Sequence, residues 1–280
     1  MLLDGSGTLS FDVLSWLGEQ GVALARVKWT GEVAIVASGS GCAADRAKVD
    51  WQVATRDDEP ARLAFSIQLI RDKLANSIDT LKERFVASAK RDRAITRISD
   101  AIGNLASDRP RDLKELRAVE AVCASLYFGV WQQLALRWTG TNRRPIPKEW
   151  TSYRARTSTA NGTKAKNVNA SHPLNAMLNY AYAVKQAQLQ IDAIANGYDP
   201  TIGIMHHGRR GLPAYVFDVI ERERPRVDAA VLGFVQERSF SAADFPIRSD
   251  GVCRLSPQLA RALVSFIASA ILLSSSVRQA

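Results

Sequence analysis

The sequence predicts a mainly helical protein: a large helical C-terminal domain, residues 58–280, behind a small β-containing N-terminal domain, residues 1–57. Three observations carry that expectation. The two runs with strand character, VALARVKW and EVAIVAS, both fall within the first sixty residues. Beyond Pro60 the apolar residues recur at steps of three and four, the period of one helix face. At 280 residues and 46% hydrophobic content, the chain can bury one large core or two modest ones without disulfide or metal staples.

Taken in order, a short helical pattern through Phe11, Leu14 and Leu17 stops at Gly21, and the two strand runs flank a Thr30-Gly31 turn. Leu63, Ile67, Ile70, Leu74, Ile78, Leu81 and Phe85 then form the stripe of a long amphipathic helix. A second helix through Ile95, Ile98, Ile102 and Leu105 stops before Pro110. The third runs from Asp112 to about Trp138, with Leu116, Glu120, Cys123, Tyr127, Val130 and Leu134 on its stripe. His172-Pro173 opens a helix that ends at Gly197, and GLP at 211–213 opens another carrying Asp218 and Glu221. Asp250-Gly251 is a two-residue hairpin signal, and Ser256-Pro257 caps a terminal helix whose apolar run is too short and too rich in serine for a membrane span.

Thirty-seven Lys and Arg against 28 Asp and Glu leave a net charge of +9, which suits a polyanionic partner or a solubilising surface. Most of that excess lies between Arg143 and Lys166, where seven basic residues face one acidic in a segment rich in Pro, Ser, Thr and Gly. That segment reads as a basic loop. Cys42, Cys123 and Cys253 are odd in number, with no CxxC spacing, which argues for free thiols in a reducing compartment and against a disulfide framework or a zinc site. MLLDGSG has no basic n-region or long apolar run, so a cytoplasmic protein without a membrane span is expected.

One member of the third stripe is an acid. A carboxylate buried on a core-facing stripe costs several kcal/mol if charged and alone, so Glu120 must be protonated, paired or bound to a cation. Asp218 and Glu221, at i and i+3 among Tyr215, Phe217 and Ile220, pose the same problem. His206 lies in the loop GIMHHG leading to their helix, while its neighbour His207 should point elsewhere. Together these side chains form a mixed oxygen and nitrogen set suited to Mg²⁺ or Mn²⁺, with Arg209, Arg210, Arg222, Arg224 and Arg226 nearby for phosphates. The residues alone leave another reading open: Glu120 paired with Arg117, Asp218 with Arg222, and His206 satisfied within its loop.

Three blocks in this order resemble the CRISPR-associated adaptation endonuclease and integrase, the Cas1 family. They are Glu120 to Tyr127-Phe128 within VEAVCASLYF, HPLNAMLNYAYA at 172–183, and GIMHHG followed by DVIE; the tail FSAADFPIRSDGVCRLSPQLAR is also similar. The resemblance implies that the helical domain is catalytic and that Glu120, His206 and Glu221 are the catalytic metal ligands. Asp218 is then an accessory acid. It also implies a homodimer acting with a Cas2 dimer on double-stranded DNA, both protospacer and CRISPR repeat. The reaction implied is transesterification, in which a 3′-hydroxyl of the incoming DNA attacks a phosphodiester of the array. Arg209, Arg210, Lys164 and Lys166 would then meet DNA, and Asn175 and Asn179 would brace the site or touch the DNA backbone. The family usually begins with more strands than are found here, so residues 1–57 are expected to be a truncated remnant of its β-domain. A casposon-type transposase carries the same blocks, and a catalytically inactive DNA-binding scaffold would need only the basic loop.

Overall fold

A computed structural model describes residues 1–4, 7–27, 33–37, 44–107, 109–156, 159–160, 163–164, 169–206 and 212–276. Eight α-helices dominate these residues: α1 (Phe11–Glu19), α2 (Arg46–Asp57), α3 (Glu59–Arg84), α4 (Ala89–Ser107), α5 (Leu113–Val130), α6 (Pro173–Ala195), α7 (Ala214–Glu237) and α8 (Pro257–Ser276). Short strands accompany them. β1 (Leu2–Asp4) pairs in parallel with β2 (Leu24–Val27), which pairs antiparallel with β3 (Val33–Ala37). Further along, β4 (Arg137–Trp138), β5 (Thr159–Ala160), β6 (Thr163–Lys164) and β7 (Ser239–Phe240) form two small pairs, β4 with β7 and β5 with β6.

Helix starts follow the capping residues in the sequence. Ser10 Oγ accepts the Val13 N–H, Asp45 Oδ1 the Ala47 N–H, Asp58 Oδ2 the Ala61 N–H and Ser256 Oγ the Leu259 N–H. Residue 58, the first of the expected C-terminal domain, is an extended residue between α2 and α3. Helix α2 went unpredicted because its buried residue is Gln52 rather than an apolar one. Strand β1 adds a parallel partner to the expected hairpin, whose Thr30-Gly31 turn lies outside the described residues.

The chain forms two compact units, each discontinuous in sequence: residues 1–73, 108–117 and 183–223 in the first, and 74–107, 118–182 and 224–280 in the second. In the first, Ala25 of β2 packs against Ala183 and Ala187 of α6, with Leu2 and Ile191 beside them. A second cluster joins Ala193, Ile204 and Tyr215 to Phe65, Tyr198 and Val219. Trp51 of α2 meets Phe65 and Tyr198 edge-on. Gly197, at φ +81, lets the chain leave α6 against Asp45, where an added Cβ would lie 2.6 Å from the Asp45 Cβ. Not every apolar residue is used: Phe11 of α1 is 85% exposed.

The second unit has an aromatic core. Trp131 is fully buried among Phe85, Tyr127, Phe128 and Tyr153. Seating it there turns the chain from α5 into a 3₁₀ turn at Trp131–Gln133, so the expected third helix ends at Val130 and Leu134 lies beyond it. The basic segment also differs from the loop that its composition suggested. Trp150 stacks on Trp138 at 5.7 Å, meets Phe245, and donates its indole N–H to the Ser171 carbonyl, while Tyr153 is equally buried. Aromatic burial overrides the Pro, Ser and Gly content there. At the Asp250-Gly251 signal a tight turn forms, with Gly251 at φ 79 and a single bridge between Ile247 and Cys253 rather than a strand ladder. No helix among the described residues is long and apolar enough to cross a membrane. Cys123 and Cys253 are buried and free, and Cys42 lies outside the described residues.

Replacing Trp150 by Ala removes a buried ring at the centre of the segment and should cost about 3–5 kcal/mol. Urea denaturation of W150A checks this; a loss below about 1 kcal/mol would return residues 143–156 to a surface loop.

Candidate functional site

In the first unit the site is built on the second turn of α7. Asp218 has 0% exposure and accepts three backbone N–H bonds from the preceding loop. Ile204 N–H reaches Oδ2 at 2.5 Å, Met205 N–H the same oxygen at 3.1 Å, and His206 N–H reaches Oδ1 at 2.8 Å. His206 Nδ1 also lies 2.8 Å from Oδ1. Both carboxylate oxygens already act as acceptors, so this contact is satisfied when the imidazole donates from Nδ1. That tautomer leaves the lone pair on Nε2, in a side chain 39% exposed.

Neighbouring residues hold the loop in this path. Gln52 of α2 donates to the carbonyls of Asp199 and Ile202 and accepts the Asp199 N–H. Ile204 and Met205 are buried behind the turn. Gly203 is required for a steric reason: an added Cβ would stand 2.0 Å from the His206 carbonyl oxygen and 2.6 Å from the Ala214 Cβ. One turn after Asp218, Glu221 is buried and receives Lys73 of α3, whose Nζ is 2.6 Å from Oε2.

In the second unit Glu120 stands half-buried on α5. Burial, and after it the nearby Glu120 carboxylate, push the Cys123 thiol above its ordinary pKa. Asn175 is 1% exposed, with Oδ1 facing the Tyr153 hydroxyl and Nδ2 donating to the Ala155 carbonyl. It therefore braces residues 153–156. Asn179 Oδ1 accepts from Arg156 at 2.6 Å, so it too holds the basic segment. Arg209, Arg210, Lys166 and His207 lie outside the described residues, and for Lys164 only the strand position is described.

Two features of the chemistry went unread in the sequence. Lys73 is 148 residues from Glu221, and only the packing of α3 reveals the pair. The other is Asp228, a buried acid that accepts from the Tyr127 and Tyr182 hydroxyls. Arg156 and Arg224 lie over the Tyr182 ring at 5.6 and 4.9 Å. Burial pushes Asp228 up to about 6 against the opposing pull of the two phenol hydrogen bonds. Its place seven residues beyond Glu221, on the same helix face, was the available signal.

In donor chemistry the residues suit a divalent ion: an imidazole held through Nδ1 by a carboxylate, and a buried carboxylate that already attracts a cation. Among the described residues no three His, Cys, Asp or Glu side chains come together closely enough to hold a metal ion.

Fold and site define a mainly helical protein with a carboxylate-bound histidine on the loop before α7. The profile of CRISPR associated protein Cas1 matches residues 1–268, and the chain belongs to that family. CRISPR-associated endonuclease Cas1 2 of Rhodospirillum rubrum is 28% identical over 161 residues, 55% of this chain and 40% of that protein. This chain thus matches less than half the length of that relative. In fold it is similar to a Cas1 protein from Thermotoga maritima, with a TM-score of 0.72 at 15% identity, covering 96% of this chain and 78% of the other. It is also similar to a casposase solved bound to its integration product, with a TM-score of 0.70 at 20% identity over 96% and 70% of the two chains.

Replacing Asp218 by Ala leaves buried N–H groups without an acceptor, at about 1–3 kcal/mol each. Amide exchange at Ile204, Met205 and His206 should accelerate at least tenfold in D218A, while the α8 amides keep their protection. Unchanged exchange at the three loop amides would show that the carboxylate does not hold the loop.

A pH effect follows from His172. Burial lowers its pKa to about 4, and its Nδ1 accepts the Leu174 N–H at the start of α6. The unfolded chain takes up a proton near pH 6.5 and the folded one only near 4, so stability falls as pH drops through that window, by about 3 kcal/mol at pH 4. Asn can keep the capping acceptor, so H172N should lose about 3 kcal/mol less than the unsubstituted protein between pH 7 and 4. Asp228 acts with opposite sign, its folded pKa being raised, but it is common to both proteins and drops out of the comparison. Denaturant titrations at the two pH values measure the difference.

Proposed function

We propose that the chain is a metal-dependent DNA endonuclease and integrase of CRISPR adaptation, inserting short foreign DNA into a repeat array. The observation that carries this reading is the Asp218–His206 contact, which fixes the imidazole in the tautomer a metal ligand needs. Family membership supports the rest.

In this reading Glu120, His206 Nε2 and Glu221 hold Mg²⁺ or Mn²⁺, and Asp218 acts through the histidine. The bound cation supplies Lewis acidity at a phosphoryl oxygen and charge for the leaving oxygen. The protein's own contribution is placement. Asp218 keeps the imidazole from rotating, and Gly203 and Gln52 keep the loop from moving under it. Arg209, Arg210, Lys164 and Lys166 take phosphates, which sets the register of the DNA without reading its sequence. Transesterification then forms a phosphorus–oxygen bond to the incoming 3′-hydroxyl and breaks one in the repeat strand. The incoming hydroxyl loses its proton and the released 3′-oxygen of the repeat strand takes one up, so a free 3′-hydroxyl is regenerated and the number of phosphodiesters stays the same. Cleavage is the same exchange with water as the nucleophile. The substrates are double-stranded protospacer and CRISPR repeat, and the partners are a second copy of the chain and a Cas2 dimer in the cytoplasm.

Half-site integration with purified protein, Mn²⁺, and Cas2 supplied or omitted tests this reading. E120A and H206A should fall to background with their circular dichroism unchanged, and H207A should keep most of the activity. Activity in E120A, or equal losses in the two histidine variants, would overturn the assignment. Integration independent of Cas2 would point to transposase-like action.

A further inference from the structure

Glu221 is already occupied by a cation of the protein's own. Lys73 Nζ lies 2.6 Å from Glu221 Oε2, and the two side chains are only 16% and 9% exposed. A carboxylate so far removed from water needs a compensating charge, and at this depth salt screens the pair little. We propose that Lys73 is a built-in competitor for the divalent cation, neutralising Glu221 in the metal-free protein and yielding the carboxylate when the ion binds. The proposal rests on Glu221 being a ligand.

The physical case is one of like charges. A divalent ion on Glu221 would stand within a few ångströms of the ammonium, where repulsion is strong at reduced dielectric. One of the two must withdraw. Lysine suits that role: it carries a point charge on a flexible four-carbon stem and has no planar fork to lock onto the carboxylate. The device keeps the buried acid compensated until metal arrives, at the expense of metal affinity. A neighbouring pair on the same helix supplies the internal control. Lys185 Nζ lies 3.7 Å from Glu223 Oε2, equally withdrawn from water, but Glu223 is no part of the proposed metal set.

Calorimetric titration of Mn²⁺ into the full chain tests this without reference to activity. K73M should bind Mn²⁺ roughly tenfold more tightly than the unsubstituted protein. K185M should stay within about twofold, and E221Q should bind more weakly. Without metal, K73M should melt at a lower temperature, and saturating Mn²⁺ should raise its Tm more than that of the unsubstituted protein. K73Q, which keeps a hydrogen-bond donor and loses the charge, should also tighten binding; this serves if K73M folds poorly. Equal or weaker binding in both Lys73 variants, with E221Q still impaired, would overturn the competitor role and leave Glu221 as a ligand. Unchanged binding in E221Q would overturn the ligand reading itself, and the proposal with it.

Discussion

The carboxylate of Asp218 is where the first unit's loop and helix become one object. A buried acid is costly unless its oxygens are used, and here the backbone of residues 204–206 and one imidazole use both. The same bonds fix the path of the loop, because three successive N–H groups can turn toward one side chain only in a tight arc. That arc requires a residue without a side chain at Gly203, where any Cβ would collide with the His206 carbonyl. It also needs Gln52, which holds the preceding residues from α2. The half-exposed imidazole of His206 is the far end of this chain of constraints.

Much of the framework was legible because it obeys local rules. α3, α4 and α6 declare themselves by apolar period, by caps and by Gly197; α8 does so through Ser256-Pro257. The chain misled where tertiary packing outweighed local pattern. α5 gives way to a 3₁₀ turn at the buried Trp131, just after Gly129, and Trp150 and Tyr153 anchor an otherwise exposed basic stretch by burying their rings. α2 hid because its inward residue is an amide whose partners lie 147 and 150 residues away. The site divided in the same way. That Asp218 and Glu221 needed partners followed from an i, i+3 pair of acids among apolar neighbours. Which partner each would take did not. Backbone N–H groups carry no side-chain signature, and Lys73 looks like any other polar residue of an amphipathic helix.

α7 shows how one helix can use three buried acids differently. Asp218 is satisfied by backbone N–H groups, Glu221 by a lysine, and Asp228 by two phenols with Arg156 and Arg224 over one of the rings. Burial pushes Asp228 up to about 6, while the two phenol hydrogen bonds and the nearby arginines pull the other way. Between Glu221 and Asp228 stands Pro225, which has no N–H to return to the Glu221 carbonyl four residues earlier. Its own carbonyl accepts the Thr80 hydroxyl at 2.8 Å, so a side chain of α3 supports the helix beside its missing bond. α3 therefore meets α7 twice, through Lys73 at the acid and through Thr80 just past the proline. Through Lys73, α3 holds the Glu221 carboxylate by charge, although it contributes no acid to the proposed set.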